Sequence, residues 1–382
     1  MSQPAATLIG SYNKFNIGDV VLCEIFAQAL RQRGYSRLYL PSASEDIRQR
    51  LGAQEDVGTR RSIDQSDVVV LGGGGGLGHG MVQPPGWEDP KFAYYARVAW
   101  YCALRRKPLY VLGVSAGPIL STAARRRILS IAQLATRLIV RDELSKQVLV
   151  ELDPRLAEKV DVAADAALTL NYESLRDRVA SWELPQPCLG VNLCDVRCFQ
   201  RGMSATEAAE EIVTAVAGLV QEGRVRSVIW FSTTRDGQEL VWACRGAQTL
   251  PQVSRTVFYD GDPWSWIARL GECDAFISMK LHSAIFAAGM GVPILGIGFH
   301  EKVGRFYRQF DAGRYCRTVE ELRKGEVSSL IHATYPGAVN LRATSAWQRG
   351  RAQALHVLET IPPAATVEEL VGEPLNVTTR RA

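Results

Sequence analysis

The stretch AFISMKLHSAIFAAGMGVPILGIGFHEKV, residues 275–303, restricts the possible folds of this chain more than any other. A strand-length apolar run (275–279) leads into a polar corner and then an Ala-rich segment of helix length (281–290). A second apolar run (292–297), set off by Gly291 and Pro293, ends in a second polar corner. In a parallel α/β unit both corners fall at the carboxyl ends of strands, where open sheets bind ligands. The first corner carries Lys280, His282 and Ser283; the second carries His300, Glu301 and Lys302. Two cations and a histidine at one sheet edge suit an anionic small molecule and a proton transfer. The alternative is a helix-capping His282 between two solvated lysines.

The rest of the chain repeats this alternation. A strand at 6–9 precedes the loop 10–19 and a helix at 20–33, striped by Leu22, Ile25, Phe26 and Leu30 and stopped by Gly34. Strands at 37–40, 68–71, 109–114 and 138–140 and helices at 92–105, 122–135 and 142–150 follow. Near 172–187 the pattern breaks, with Trp182, Pro185 and Pro187 among charged residues. It resumes with strands at 189–193, 227–231 and 256–259 and helices at 205–221, 238–248 and 263–273. The reading is two Rossmann-like α/β domains, 1–180 and 181–330, facing across a cleft, with a helical extension and tail at 331–382. One further helix is expected at 343–359.

Composition excludes several classes. The chain has 382 residues, 47% apolar and 22% charged, as in a soluble globular protein. Its 44 basic and 40 acidic residues leave a net charge of +4, too mixed for a dedicated nucleic-acid binder. The basic runs 105–107 and 125–127 read as solvated helix faces. The eight cysteines are scattered through apolar segments, and Cys194 and Cys198 have no second pair at zinc spacing, so buried free thiols in a reducing compartment and no metal are expected. No signal-peptide pattern or membrane-spanning run is visible, which makes the expected location cytoplasmic.

The strand-end corners carry the chemistry. Five glycines, 72–76, follow a run whose lack of alternation marks a buried strand. They form either a tight turn or a loop whose backbone N–H groups approach an anion. Neither a Walker A loop nor a clean dinucleotide fingerprint is present. At the first corner Asn16 and Asp19 stand near a helix start, with Asp19 either the N-cap or a substrate contact. Ser115 begins another corner, Ser115-Ala116-Gly117-Pro118. Arg141 ends a strand just before a helix N-terminus, a combination that binds carboxylate or phosphate, unless Arg141 pairs with Asp142 or Glu143.

The ordered set Asn16-x-Gly18-Asp19, 71–76, Gly113-Val114-Ser115-Ala116-Gly117-Pro118, Val140-Arg141-Asp142-x-x-Ser145, Lys280-Leu281-His282 and Lys302 resembles the polysaccharide pyruvyl transferase family. The resemblance implies a fold of the glycosyltransferase B type. It also implies transfer of pyruvate from phosphoenolpyruvate to sugar hydroxyls, as a ketal on a cell-wall or exopolysaccharide precursor. Phosphoenolpyruvate is then a co-substrate and no cofactor is needed. By the same resemblance Arg141, His282 and Lys302 fall where the family binds phosphoenolpyruvate and does its chemistry. His282 is the expected general acid/base; His79 and His300 are less well placed. Arg141, Lys280, Lys302, Ser115 and Ser283 are expected to bind the donor. Lys280 stands where the family often has arginine, and lysine lacks the bidentate fork. The saccharide acceptor is expected against Asn16, Asp19, Gly73, Gly74, Gly75 and Trp87, whose ring either stacks on a sugar or packs under its loop. A lipid-linked acceptor would place the protein at the inner face of the membrane. The rivals are a nucleotide-sugar glycosyltransferase of the same fold type and a non-catalytic glycan-binding relative.

Overall fold

The computed structural model of the chain describes residues 3–12, 16–79, 89–194, 204–235 and 237–366. The first half builds one sheet from β1 (Ala5–Ile9), β2 (Arg37–Tyr39), β3 (Val68–Gly72), β4 (Leu109–Val114), β5 (Arg137–Val140) and β6 (Val160–Val162). Helices α1 (Ile17–Gln32), α2 (Glu45–Arg50), α3 (Thr59–Asp64), α4 (Asp89–Leu104), α5 (Thr122–Leu134) and α6 (Glu143–Leu152) connect them. All pairings are parallel, in the order β2-β1-β3-β4-β5-β6. Val68, Val69, Val70 and Leu71 are buried because helices cover both sides of the sheet.

The second half repeats the plan with β7 (Cys188–Asn192), α7 (Ala205–Gln221), β8 (Ser227–Ser232), α8 (Gln238–Thr249), β9 (Ser254–Phe258), α9 (Pro263–Leu270), β10 (Ala275–Ser278), α10 (Leu281–Gly289), β11 (Ile294–Gly298), α11 (Glu301–Gln309) and β12 (Cys316–Thr318). Its parallel sheet runs β12-β11-β10-β7-β8-β9. α12 (Glu326–Thr334) packs on α7. The capping box of α7, in which Ser204 and Glu207 serve each other's backbone N–H groups, fixes where that helix starts.

The last helix, α13 (Ser345–Glu359), returns to the first sheet and packs against β4 and the short turn Ala166–Thr169. The Tyr35 hydroxyl donates to Pro362 O at 3.1 Å, and Ala364 N donates to Arg33 O at 2.9 Å. One apolar cluster runs from Leu8 and Phe26 through Ile285 and Phe286 to Val357, so the two sheets share a core. Such an interface resists sliding of one half on the other.

Several expectations need correction. α2, α3, β6, α11, β12 and α12 were not legible from periodicity: each is short, or amphipathic within a strongly charged stretch. α1 begins at Ile17 with Asn16 as its N-cap, so Asp19 lies within the first turn and is not the cap. Asn16 Oδ1 accepts from Gly18 N at 3.0 Å, leaving the Asp19 carboxylate to face the glycine corner. Cys244 is exposed, unlike the other described cysteines. Cys198 and Trp87 lie outside the described residues.

Candidate active site in the interdomain cleft

The carboxyl ends of β1, β3, β4 and β5 meet those of β8, β10 and β11 across the cleft, because the two parallel sheets turn the same edge towards each other. The corner before α1 docks directly on the second domain: Ile17 N donates to Thr233 O at 3.1 Å. Gly18 lies flat against the His282 ring, and a Cβ there would stand 2.1 Å from Nδ1. Glycine is required at this position by close approach.

His282 sits in the first turn of α10, stacked on Phe286 at 6.0 Å. It does not cap that helix; the cap position is Lys280, which makes no side-chain cap bond. His282 Nε2 is shielded from solvent and faces Asp165 Oδ2 at 3.5 Å, the outer edge of hydrogen-bond range, with no shorter partner among the described residues. The same Asp165 oxygen accepts from Arg141 Nη1 at 2.9 Å. Arg141 Nη2 donates to Ser115 Oγ at 3.1 Å. Arg141 is therefore paired with Asp165, and neither Asp142 nor Glu143 is its partner. Burial opposes ionisation of Asp165, yet His282, Arg141 and the N–H of Ala167 together hold its carboxyl well below the usual range. It is an anion poised between an arginine of one domain and a histidine of the other.

The second corner supplies Lys302 and His300. Lys302 is half-buried; desolvation, then the nearby Arg141 charge, bring its ammonium down to about 8, while Asp19 partly offsets them and Lys280 adds to the lowering. These couplings put Lys302, Arg141, Lys280 and Asp19 in one electrostatic neighbourhood. His300 caps α11 by accepting from Lys302 N at 3.1 Å and is hydrogen-bonded to the His79 backbone. Burial, then the Lys302 charge, push His300 down to about 3, so its ring is neutral near pH 7. His79 is also occupied: its Nδ1 accepts from Leu120 N at 3.1 Å and its Nε2 bonds Asp89 at 3.0 Å.

Lys280 and Ser283 point into the second domain's own network. The Lys280 ammonium bonds Glu239 and, at 2.8 Å, Thr233 Oγ1. Glu239 is buried and also accepts from Asn192 Nδ2 and Thr233 N. Ser283 Oγ reaches Asn192 Oδ1 and Ser278 Oγ, each at 2.7 Å. These two side chains brace β7, β8 and β10 under the cleft floor.

The glycine corner lies opposite. Gly73 and Gly74 take φ of 70° and 76°, backbone that favours glycine, while a Cβ on Gly75 would meet nothing within 4 Å among the described residues. Ser115 N donates to Gly74 O at 3.0 Å and Leu77 N to Ser115 O at 3.0 Å, so the glycine and Ser115 corners interlock. A Cβ on Gly74 would stand 3.3 Å from Asp19 Oδ1.

Three participants were missed from sequence: Asp165, Glu239 and Arg305. Asp165 follows the three-residue β6 and caps the turn Ala166–Thr169, a strand too short to register. Arg305, buried on α11, reaches across to Ala116 O at 3.2 Å and Asp142 Oδ1 at 3.4 Å. Asp142 is itself the N-cap of α6. A groove of about 460 Å³ walled by Asp142 and Arg305 adjoins the site, whereas a larger one of about 590 Å³ between α1, α9 and α13 contains none of these groups.

Comparison with known proteins agrees with this arrangement. The chain's overall fold is similar to that of a protein from Listeria monocytogenes assigned as a UDP-N-acetylglucosamine 2-epimerase (TM-score 0.62, 10% identity, 98% of each chain covered). It is also similar to the Staphylococcus aureus MnaA structure with UDP (TM-score 0.61, 10% identity, 93% of this chain and 94% of that one). A third similar structure is the Anabaena HepE protein in complex with UDP (TM-score 0.54, 13% identity, 96% of this chain and 98% of that one). At these identities the likeness concerns the fold, two Rossmann-like domains of the glycosyltransferase B type. The family model for polysaccharide pyruvyl transferase matches residues 16–301, from the cap of α1 to the start of α11, and so includes Arg141, Asp165 and His282 and ends one residue before Lys302. The chain belongs to the polysaccharide pyruvyl transferase family.

Proposed function

We propose that the protein transfers the pyruvyl group of phosphoenolpyruvate to two hydroxyls of a saccharide, forming a ketal and releasing phosphate. The observation that carries this reading is the convergence of Arg141, Lys302 and His282 from both domains on one cleft, around the buried anion of Asp165. A donor bearing a carboxylate and a phosphate needs cations on more than one side, and Arg141 and Lys302 supply them. Glycine-loop N–H groups at Gly73 to Gly75 add donors without adding charge. Lys280, Ser115 and Ser283 act through their neighbours, holding Glu239, Arg141 and Asn192.

His282 is the acid and base. Its proton goes to C3 of the enol, generating a methyl group and an electrophilic C2. The first sugar hydroxyl bonds C2 and returns its proton to the ring. The C2–O bond to phosphate breaks, the second hydroxyl bonds C2, and its proton leaves with phosphate. Two hydroxyl protons are lost; one ends on C3 and one on phosphate. Asn16, Asp19 and the glycine corner line the first-domain wall, where the acceptor enters; Trp87, in the sequence segment 79–87 that follows the glycine corner, is assigned to the acceptor as well. The acceptor is a precursor of a cell-wall or secreted polysaccharide, and the work is cytoplasmic.

The test combines binding and turnover. Phosphoenolpyruvate should raise the melting temperature, and with a panel of glycans it should release phosphate and add one pyruvyl ketal by mass. Stabilisation by nucleotide sugars alone would overturn this reading in favour of glycosyl transfer. His282→Ala that folds and turns over at the wild-type rate would remove His282 from the chemistry.

A further inference from the structure

The outer face of the first domain combines cations with protruding apolar side chains. α4 and α5 pack side by side over the sheet, with α3 against α4. On α4, Trp100 is 60% exposed and Leu104 is 76% exposed, one turn apart on one stripe. Arg97, three residues before Trp100, is exposed on the same stripe. Arg105 and Arg106, directly after the helix, are both exposed. On α5, Arg125 and Arg126 point outward, and no acid occurs along that helix. Leu120, just before α5, is 56% exposed.

The acids on these three helices are Asp64 and Asp89. Asp64 is held by Arg105 at 2.7 Å and by Tyr101. Asp89 is committed to His79 and Ser121. The face thus presents an excess of guanidinium groups around an exposed indole and two leucines. Burying Trp100 and Leu104 in a folded protein partner would also bury several of these cations, which need partners of opposite charge. At a bilayer surface both needs are met together: indole and leucine enter the headgroup and acyl boundary while arginines stay at the phosphates.

We propose that the α4–α5 face is a docking surface for an anionic lipid bilayer. Among the described residues no helix is long and apolar enough to cross a membrane, so the attachment is peripheral. The surface lies outside the cleft, and vesicle binding requires neither phosphoenolpyruvate nor a sugar; its outcome is therefore separate from that of the transferase reading.

The experiment is flotation of the full chain with phosphatidylcholine vesicles with and without phosphatidylglycerol. Binding should require phosphatidylglycerol and weaken as salt is raised. Arg125→Glu/Arg126→Glu should lower the partition coefficient by at least about tenfold. Trp100→Ala/Leu104→Ser should lower it at low salt as well, where charge alone would persist. Melting temperatures near wild type would show that the variants fold, as expected for exposed positions. Equal binding to neutral vesicles, or full binding by both variants, would overturn the proposal. So would failure to bind phosphatidylglycerol vesicles; a dimer that Trp100→Ala/Leu104→Ser dissociates would then show that the face joins two copies of this chain.

Discussion

Gly18 of the first domain and His282 of the second are in direct contact: the glycine has no side chain because the imidazole occupies its space. The ring's position is set by a residue far away in sequence and across the domain interface. Gly18→Ala would drive a methyl into Nδ1, and the ring, the start of α1 or the domain contact must shift. A displacement of about 1 Å at a catalytic group costs on the order of a hundredfold in rate. Turnover should therefore fall by about that factor while donor binding changes little. Steady-state kinetics beside a donor titration checks this, and unchanged kcat in a folded variant would show that the ring's position is not critical.

Asp165 links Arg141 to His282, and its carboxylate is what both side chains face in the absence of donor. Asp165→Asn keeps the shape and removes the anion. Arg141 then loses its counterion and should hold phosphoenolpyruvate more tightly, lowering the donor's Kd. His282 loses the carboxylate that faces its Nε2, so kcat should fall by about 10²–10⁴, the range of general acid–base contributions. Asp165→Ala removes one partner of a buried pair and should cost roughly 3–5 kcal/mol in stability. A lower donor Kd together with a lower kcat in Asp165→Asn is the signature; weaker donor binding alongside the fall in kcat would assign Asp165 to folding alone.

How far the sequence reached is clearest at these residues. The corners were legible because each follows a strand long and apolar enough to read: 109–114 leads to Ser115, and 275–279 to Lys280 and His282. Arg141 was visible for the same reason, but its partner was not. Asp165 follows Val160–Val162, whose middle residue is an exposed aspartate, so no apolar run marks it as a strand. Glu239 is nominally in the first turn of α8, where an acid suits the helix dipole; nothing in its neighbours reveals that it folds inward to meet Lys280. Arg305 sits in EKVGRFYRQ, a charged stretch whose narrow apolar stripe shows as a helix only once packed. Partners distant in sequence are set by tertiary contact, and local patterns do not encode them.

Lys280 illustrates the difference between a cation near a site and one free to serve it. Its ammonium is held by the buried Glu239 and by Thr233, and although burial opposes its charge, Glu239 raises its pKa above the ordinary lysine value. Lys280→Ala would leave Glu239 an unpaired buried anion and should cost roughly 3–5 kcal/mol in stability. Lys280→Met with Glu239→Gln should recover much of that loss, because both ends of the pair are removed together. The donor's Kd in the double variant should rise less than in Arg141→Ala. A rise as large as that of Arg141→Ala would make Lys280 a direct donor contact.

Lys302 gives the pH dependence its shape. Its ammonium, brought down to about 8, is charged below that pH and lost as pH rises through it. If it holds the donor, kcat/KM for phosphoenolpyruvate should decline above about pH 8. His300, at about 3, stays neutral throughout and cannot supply that limb. Stability moves the other way: between about 8 and the ordinary lysine value of 10.5 the unfolded chain binds this proton and the folded chain does not, so this group's contribution rises with pH. Lys302→Arg keeps a charge that does not titrate there and should abolish the alkaline limb while retaining part of the activity, since arginine differs in shape and donor geometry. The measurement is phosphate release against pH for both proteins, with denaturant melts at the same pH values. An alkaline limb of the same position in Lys302→Arg would exclude Lys302 as its source.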